Sequence, residues 1–221
     1  MTKTMTDITK GKGDSEYPEI PREELEWLID GGEQAFADYF MSNRDRLRRM
    51  VELRLDRRLV QRVDASDVLQ EGFLDASNRL SEYLEKPTMP FFVWLRFLVA
   101  QRLLAVHRWH FERQKRDPRR EDAARCHPIM ETDVIAHEFS GAFTSPSNAA
   151  AKADLAGRIR LFLEDMDETD REILVLRHFE ELSNNEAAAV LGISKAATSK
   201  RYIRALTRLK NTVSEALGDV G

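Results

Sequence analysis

Ser183-Asn184-Asn185-Glu186-Ala187-Ala188-Ala189-Val190-Leu191-Gly192-Ile193-Ser194, followed by Lys195-Ala196-Ala197-Thr198-Ser199-Lys200-Arg201-Tyr202-Ile203-Arg204, reads as two helices joined by one tight turn. Ser183 with Glu186 three residues on forms a capping box, so a helix begins there. Gly192 supplies the turn and Ser194 caps the second helix. That helix opens with short polar and cationic side chains, as a reader of major-groove base edges would. Leu174, Ala188, Leu191 and Ile193 are spaced to pack the preceding helices, and Tyr202, Leu206 and Leu209 continue the inward face. Lys195, Ser199, Lys200, Arg201 and Arg204 are left for DNA, with base contacts expected from the first two turns and phosphate contacts from Arg204 and Arg208. A helical hairpin with a merely charged face is the plain alternative.

About eighty residues upstream lies a second unusual helix, expected over 91–116. Its first half is apolar on nearly all sides, with Leu95, Leu98, Val99 and Val106 on one face and Phe97 and Leu104 roughly opposite. Its second half interleaves Arg102, His107, Arg108, Trp109, His110, Phe111 and Arg113. Phosphate neutralisation combined with aromatic stacking is what holding an unpaired strand requires. Phe91, Phe92 and Trp94, with the loop from Tyr83 through Lys86 to Pro90, are candidates to line a pocket for an unstacked base, or else are simply core.

Between 64 and 83 a third helix is expected, capped by Asp64 or Ser66. Leu69, Phe73, Ala76, Leu80 and Leu84 recur at spacings of four and three as a buried stripe. Asp67, Gln70, Glu71 and Leu74 fall on the opposite face, where three polar side chains around one leucine make a candidate protein-docking patch. A solvated face with one stray leucine gives the same pattern.

Composition agrees with a helical, non-enzymatic reading. Among 221 residues, 42% are hydrophobic and 33% charged, and the single cysteine, Cys126, excludes an intrachain disulfide or a multi-cysteine zinc site. No apolar run approaches the roughly 20 residues that span a bilayer, and Met1–Ile20 lacks the apolar core of a signal peptide; a cytoplasmic location is expected. His107, His110, His127, His137 and His178 have no metal-ligand company. No phosphate-binding glycine loop or nucleophile elbow is present, so neither catalysis nor a cofactor or metal is expected. The net charge of −4 argues mildly against a chain that coats DNA alone. An acidic chain with two basic segments suits DNA binding that depends on a larger partner.

The fold expected is all-α, with two small helical domains joined by a flexible linker. Residues 1–20 form a disordered tail, 21–116 the first domain, 117–148 the linker with Pro118, Pro128 and Pro146, and 149–217 the second domain. Inside the first domain, helices are expected over 23–28 and 33–59, with Gly31-Gly32 as a breaker.

Three stretches together resemble the sigma-70 family of bacterial transcription initiation factors, in its small extracytoplasmic-function group. Asp64-Ala65-Ser66-Asp67-Val68-Leu69-Gln70-Glu71-Gly72-Phe73-Leu74-Asp75-Ala76 is similar to the family's polymerase-binding helix. Phe91-Phe92-Val93-Trp94-Leu95 is similar to the opening of its promoter-melting helix, and Leu182–Ser194 to the opening of its helix-turn-helix. Combined with Arg62-Val63-Asp64 and Ser199-Lys200-Arg201-Tyr202, the pattern further resembles a planctomycete-type subgroup. The resemblance implies region 2 and region 4 domains and no covalent chemistry. Asp67, Gln70, Glu71 and Leu74 would dock on the clamp helices of core RNA polymerase, whose flap is the other implied contact. Tyr83, Lys86, Trp94, Arg102, Arg108, Trp109 and Arg113 would capture and support the non-template strand at the −10 element. Lys195, Ser199, Lys200, Arg201 and Arg204 would read the −35 duplex. An anti-sigma factor is a candidate further partner. Gln101 and Ala105 stand where the family usually carries Asn and Asp, and Thr198 replaces a usual core aliphatic. A decoy that titrates an anti-sigma factor and a stand-alone helix-turn-helix regulator are the rival readings.

Overall fold

A helix that is apolar all round must be covered all round, and that requirement organises the chain. The computed structural model describes residues 20–56, 58–112, 132–143 and 149–218, and every regular element among them is helical. The first four helices are α1 (Arg22–Ser42), α2 (Arg44–Arg54), α3 (Ala65–Glu85) and α4 (Phe91–Glu112). Then come α5 (Thr132–Phe143), α6 (Ala149–Glu164), α7 (Glu168–Leu174), a π turn (Val175–Phe179), α8 (Asn184–Leu191) and α9 (Lys195–Gly218).

The N-terminal module is built around α4, whose residues from Phe91 to Ala100 are buried except for the partly exposed Phe97. Helix α3 packs along it with Val68, Leu69, Ala76 and Leu80, while Phe73 and Leu84 flank the contact. Gly72 sits where the two helices approach most closely: a Cβ there would lie 2.7 Å from Val99 Cγ2. Asp64 caps α3, accepting from the Ser66 N–H at 2.8 Å. The expected break at Gly31-Gly32 is present: Gly32 leaves helical geometry (φ 57°, ψ −138°) and divides α1 into two helical stretches. The helix expected over 33–59 instead breaks at Asn43 and stops at Arg54. Leu55 turns to extended backbone, and Asp56 then takes up the Arg58 N–H and guanidinium.

The C-terminal module has its own core of Leu155, Ile159, Leu163, Ile173, Leu174, Val175, Ala205, Leu209 and Val213. The stretch 117–148, expected to be linker, contains α5, and this corrects that expectation. Ile135, Ala136 and Phe139 of α5 are buried in the C-terminal core, and Phe139 lies 4.6 Å from the Phe179 ring and 5.1 Å from the His178 ring between centroids. A helix of 12 residues is too short to persist alone, so packing against α6 and the π turn holds it. Flanking prolines and the shortness of the apolar pattern hid it from sequence reading.

The two modules interlock. Leu176, Leu182 and Ala187 of the C-terminal module belong to the N-terminal core. Next to them, Arg54 of α2 and Arg96 of α4 are buried against Glu172 and Glu180. This is why α4 is apolar on nearly every side: α3 covers one face, while the π turn and α8 cover another.

Candidate nucleic-acid and protein interfaces

In the helix-turn-helix, α8 starts with a reciprocal cap. Ser183 Oγ accepts from the Glu186 N–H at 3.1 Å, and the Ser183 N–H donates to Glu186 Oε2 at 2.7 Å. Gly192 ends the helix in the left-handed region (φ 64°, ψ 31°), where a side chain would be strained. Ser194 Oγ accepts from the Ala197 N–H at 3.2 Å and opens α9. Asn184 ties the two helices together, donating to the Lys195 carbonyl at 3.0 Å and accepting from Ser199 Oγ at 3.1 Å. Thr198, which replaces the usual aliphatic, is fully buried and donates its hydroxyl to the Ser194 carbonyl at 2.9 Å. The polar substitution is therefore satisfied locally and leaves no orphaned hydroxyl in the core.

Inward on α9 lie Thr198, Ala205, Leu209 and Val213, flanked by the partly buried Tyr202 and Leu206. Outward lie Ala196, Lys200, Ile203 and Thr207, and Ile203 is 63% exposed. Lys195 and Ser199 are partly exposed at the helix start. Arg201 and Arg204 are not simply solvated cations. Arg201 pairs with Asp170 at 2.8 Å and Asp167 at 3.3 Å, and Arg204 pairs with the other oxygen of Asp170. Asp170 is buried beneath them in the first turn of α7, so both guanidiniums are fixed in direction by α7.

On α3, Asp67, Gln70, Glu71 and Leu74 are all exposed, with Leu74 at 54%. A groove of about 360 Å³ runs from Asp67 and Glu71 to Trp109 and His110, between α3 and α4. The polar face of α3 and the aromatic end of α4 are thus brought to one surface. Arg102 departs from the expected free basic surface: its guanidinium makes a two-pronged pair with Asp75 and lies 3.9 Å from Glu71. Asp75 is held below the usual carboxylate range, chiefly by that hydrogen bond from Arg102.

The residues expected around a captured base divide into two sets. Tyr83 and Trp94 (8% exposed) are buried and stacked at 4.7 Å, with Phe91 5.5 Å from Trp94. The Tyr83 hydroxyl donates to the Met89 carbonyl at 2.8 Å, and burial pushes its pKa up. This aromatic stack is core that shapes the 86–90 loop; it presents no open ring face. Lys86, Arg108 and Trp109 are exposed, Trp109 at 55% with an edge-on contact to His110. His107 turns inward, its Nε2 accepting from the Asp56 N–H at 3.4 Å, and burial lowers its pKa. Arg113 lies outside the described residues.

Sequence reading grouped Arg96 with the surface cations, and it did not single out Arg54, Glu172 or Glu180. Arg54 Nη2 donates to Glu172 Oε1 at 2.5 Å and Arg54 Nε to Glu180 Oε1 at 2.8 Å, while Arg96 Nε donates to Glu180 Oε2 at 2.7 Å. Burial alone would raise the Glu180 pKa, but Arg54 and Arg96 hold it down to about 2. One signal was available: Arg96 is a lone charge inside the apolar run Phe91–Ala100. Such a residue is placed there only when a counter-charge meets it.

Comparison with known proteins bears on this geometry. Residues 162–211 match the family model described as Sigma-70, region 4. The chain is similar to the ECF RNA polymerase sigma factor SigD of Mycobacterium tuberculosis, at 29% identity over 154 residues covering 70% of this chain and 65% of that one. It is also similar to the RNA polymerase sigma factor CnrH of Cupriavidus metallidurans, at 29% identity over 150 residues covering 68% of this chain and 73% of that one. The chain therefore spans somewhat less than two thirds of the SigD length. Among solved structures, that of CnrH in complex with the cytosolic domain of CnrY matches at 21% identity and a TM-score of 0.46, over 88% of this chain and 97% of that one.

Proposed function

We infer that this chain, a member of the sigma-70 family in its extracytoplasmic-function group, works as an alternative transcription initiation factor: it binds core RNA polymerase, directs it to promoters and helps open them. The observation that carries this reading is the helix-turn-helix inside residues 162–211, which match region 4 and whose outer face presents Lys200 beside the fixed Arg204. Lys195, Ser199 and Arg201 complete the proposed −35 surface, and Asp67, Gln70, Glu71 and Leu74 the proposed polymerase-docking face. Lys86, Arg108 and Trp109 are the exposed candidates for the melted strand, with Tyr83 and Trp94 shaping the loop behind them. Opening is a binding phenomenon in this scheme: contacts to unstacked bases and strand phosphates offset the cost of unpairing, with no covalent step. The chain would work in the cytoplasm, and an anti-sigma factor is a fitting regulator.

The test is transcription by sigma-free core polymerase on genomic fragments of the host. Transcripts with defined starts and a shared pair of upstream elements are expected once the chain is added. Polymerase binding without transcripts would favour the decoy, and no binding would leave the stand-alone regulator. Gln70→Ala with Glu71→Ala should abolish transcription while leaving binding to duplex DNA intact.

A further inference from the structure

A buried carboxylate is costly unless its oxygens are met by donors, and Asp170 is 2% exposed in the first turn of α7. Both of its oxygens are met from the same helix. Arg201 Nη1 donates to Oδ1 at 2.8 Å, and Arg204 Nη2 donates to Oδ2. Asp167, which caps α7, also accepts from Arg201 Nη1, at 3.3 Å. The two arginines stand three residues apart on α9, so one carboxylate beneath them reaches both.

Packing alone does not call for an acid here. Ile173 and Leu174 of α7 already share a core with Ala205 and Leu209 of α9, and an apolar residue at 170 would escape the desolvation that a carboxylate suffers. What the acid changes is the arginines. Their side chains stay 36% and 58% exposed, for Arg201 and Arg204 respectively. Each meets Asp170 through one terminal nitrogen, and the other donors of the planar fork lie on its remaining edges. Around α9, Arg204 lies about 40° from the exposed Lys200. The braced guanidiniums therefore border the outward face of Lys200, Ile203 and Thr207.

Two consequences follow for a DNA duplex. Two guanidiniums set against two carboxylates offer little net charge to phosphates, and phosphate attraction is the sequence-independent part of affinity. The forks are also held in one direction before DNA arrives, so freedom that a loose arginine loses on binding is already given up. Hydrogen bonds to base edges demand direction, whereas phosphate contacts carry no sequence information. Weaker general attraction and directional reading both widen the gap between a preferred sequence and a random one.

We propose that Asp170 is the positioning residue that sets sequence discrimination by α9, acting through Arg201 and Arg204 without touching DNA itself. This rests on the reading of α9 as a duplex-binding helix, and not on polymerase binding or promoter opening.

The experiment compares the full-length wild type with Asp170→Asn, which keeps the size of the side chain and removes its charge. One probe is a fluorescent duplex of random sequence. The other is a library of duplexes with a randomised centre, bound by the chain both free and on core polymerase, with the retained molecules sequenced. Circular dichroism follows helicity. Asp170→Asn should bind the random duplex severalfold more tightly, its salt slope steepening by about 0.9 for each phosphate gained. Its preference for the enriched sequence over the random pool should fall about tenfold. A variant that is merely less stable would weaken both affinities together, and that result overturns the proposal. An unchanged preference overturns it too, as does a wild type that enriches no sequence in either state. If Asp170→Asn loses helicity, nitrogen relaxation of the arginine Nε–H groups in the wild type decides. Arg201 and Arg204 should be as ordered as the buried Arg96; mobility equal to that of the exposed Arg108 overturns the brace. Discrimination lost in Asp170→Asn, with no transcripts from the wild type on core polymerase, brings down the initiation reading and leaves the positioning role standing.

Discussion

Replacing Phe139 by alanine tests whether α5 belongs to the C-terminal module. Its side chain is fully buried among the rings of His178 and Phe179 and the core of α6, α7 and α9. Truncating a buried phenylalanine costs about 3–5 kcal/mol, the transfer term plus the cavity left behind. That is a large share of the roughly 5–15 kcal/mol that holds a domain folded. At a guanidinium dependence of about 4 kcal/mol per molar, the transition should move down by about 1 M. The three tryptophans, Trp27, Trp94 and Trp109, all lie in the N-terminal module. Tryptophan fluorescence therefore follows that module while circular dichroism follows both. The helical signal should lose part of its amplitude at lower denaturant, ahead of the fluorescence change. A shift in midpoint corresponding to less than about 1 kcal/mol would refute the placement of α5 in this core, since a solvated linker phenylalanine costs about that or less to remove.

Two further outcomes follow from the charges. Burial lowers His107 and His178 below the ordinary 6.5, so the unfolded chain binds more protons than the folded one near that pH. Stability should therefore be complete above about pH 6.5 and fall as pH drops through the depressed values, long before Glu180 titrates. Asp56, His110 and Arg58 face His107, and Arg49 acts on His178. Thermal melts from about pH 8 to about pH 5 should show this slope, with His107→Gln flattening part of it; equal slopes in both chains would contradict the inward placement of His107. In the helix-turn-helix, Lys200→Ala should weaken duplex binding with little effect on stability. Arg201→Ala should also lower the melting temperature, because Arg201 braces α9 on Asp167 and Asp170. Salt titration separates their roles, each lost phosphate contact reducing the slope by about 0.9; identical melting temperatures for the two variants would argue against the brace.

The all-α class, the helix-turn-helix and the outward face of α3 were legible from local rules. Ser183 and Glu186 form their cap within one turn, Gly192 turns because its conformation favours glycine, and the α3 stripe repeats with the helical period. Such signals depend on residues a few positions apart, and a sequence displays them directly. Other features turn on residues far apart in the chain. Arg96 looked like one more surface cation until Glu180, 84 positions later, met it in the core. Arg102 and Arg201 looked free until Asp75 and Asp170 claimed them. Trp94 could be read either as a base-stacking ring or as core, and its stacking with Tyr83 and Phe91 puts it in the core. The sequence by itself determined which faces are apolar and where helices begin. The tertiary structure decided which charges are paired and buried, because pairing depends on proximity that periodicity does not encode.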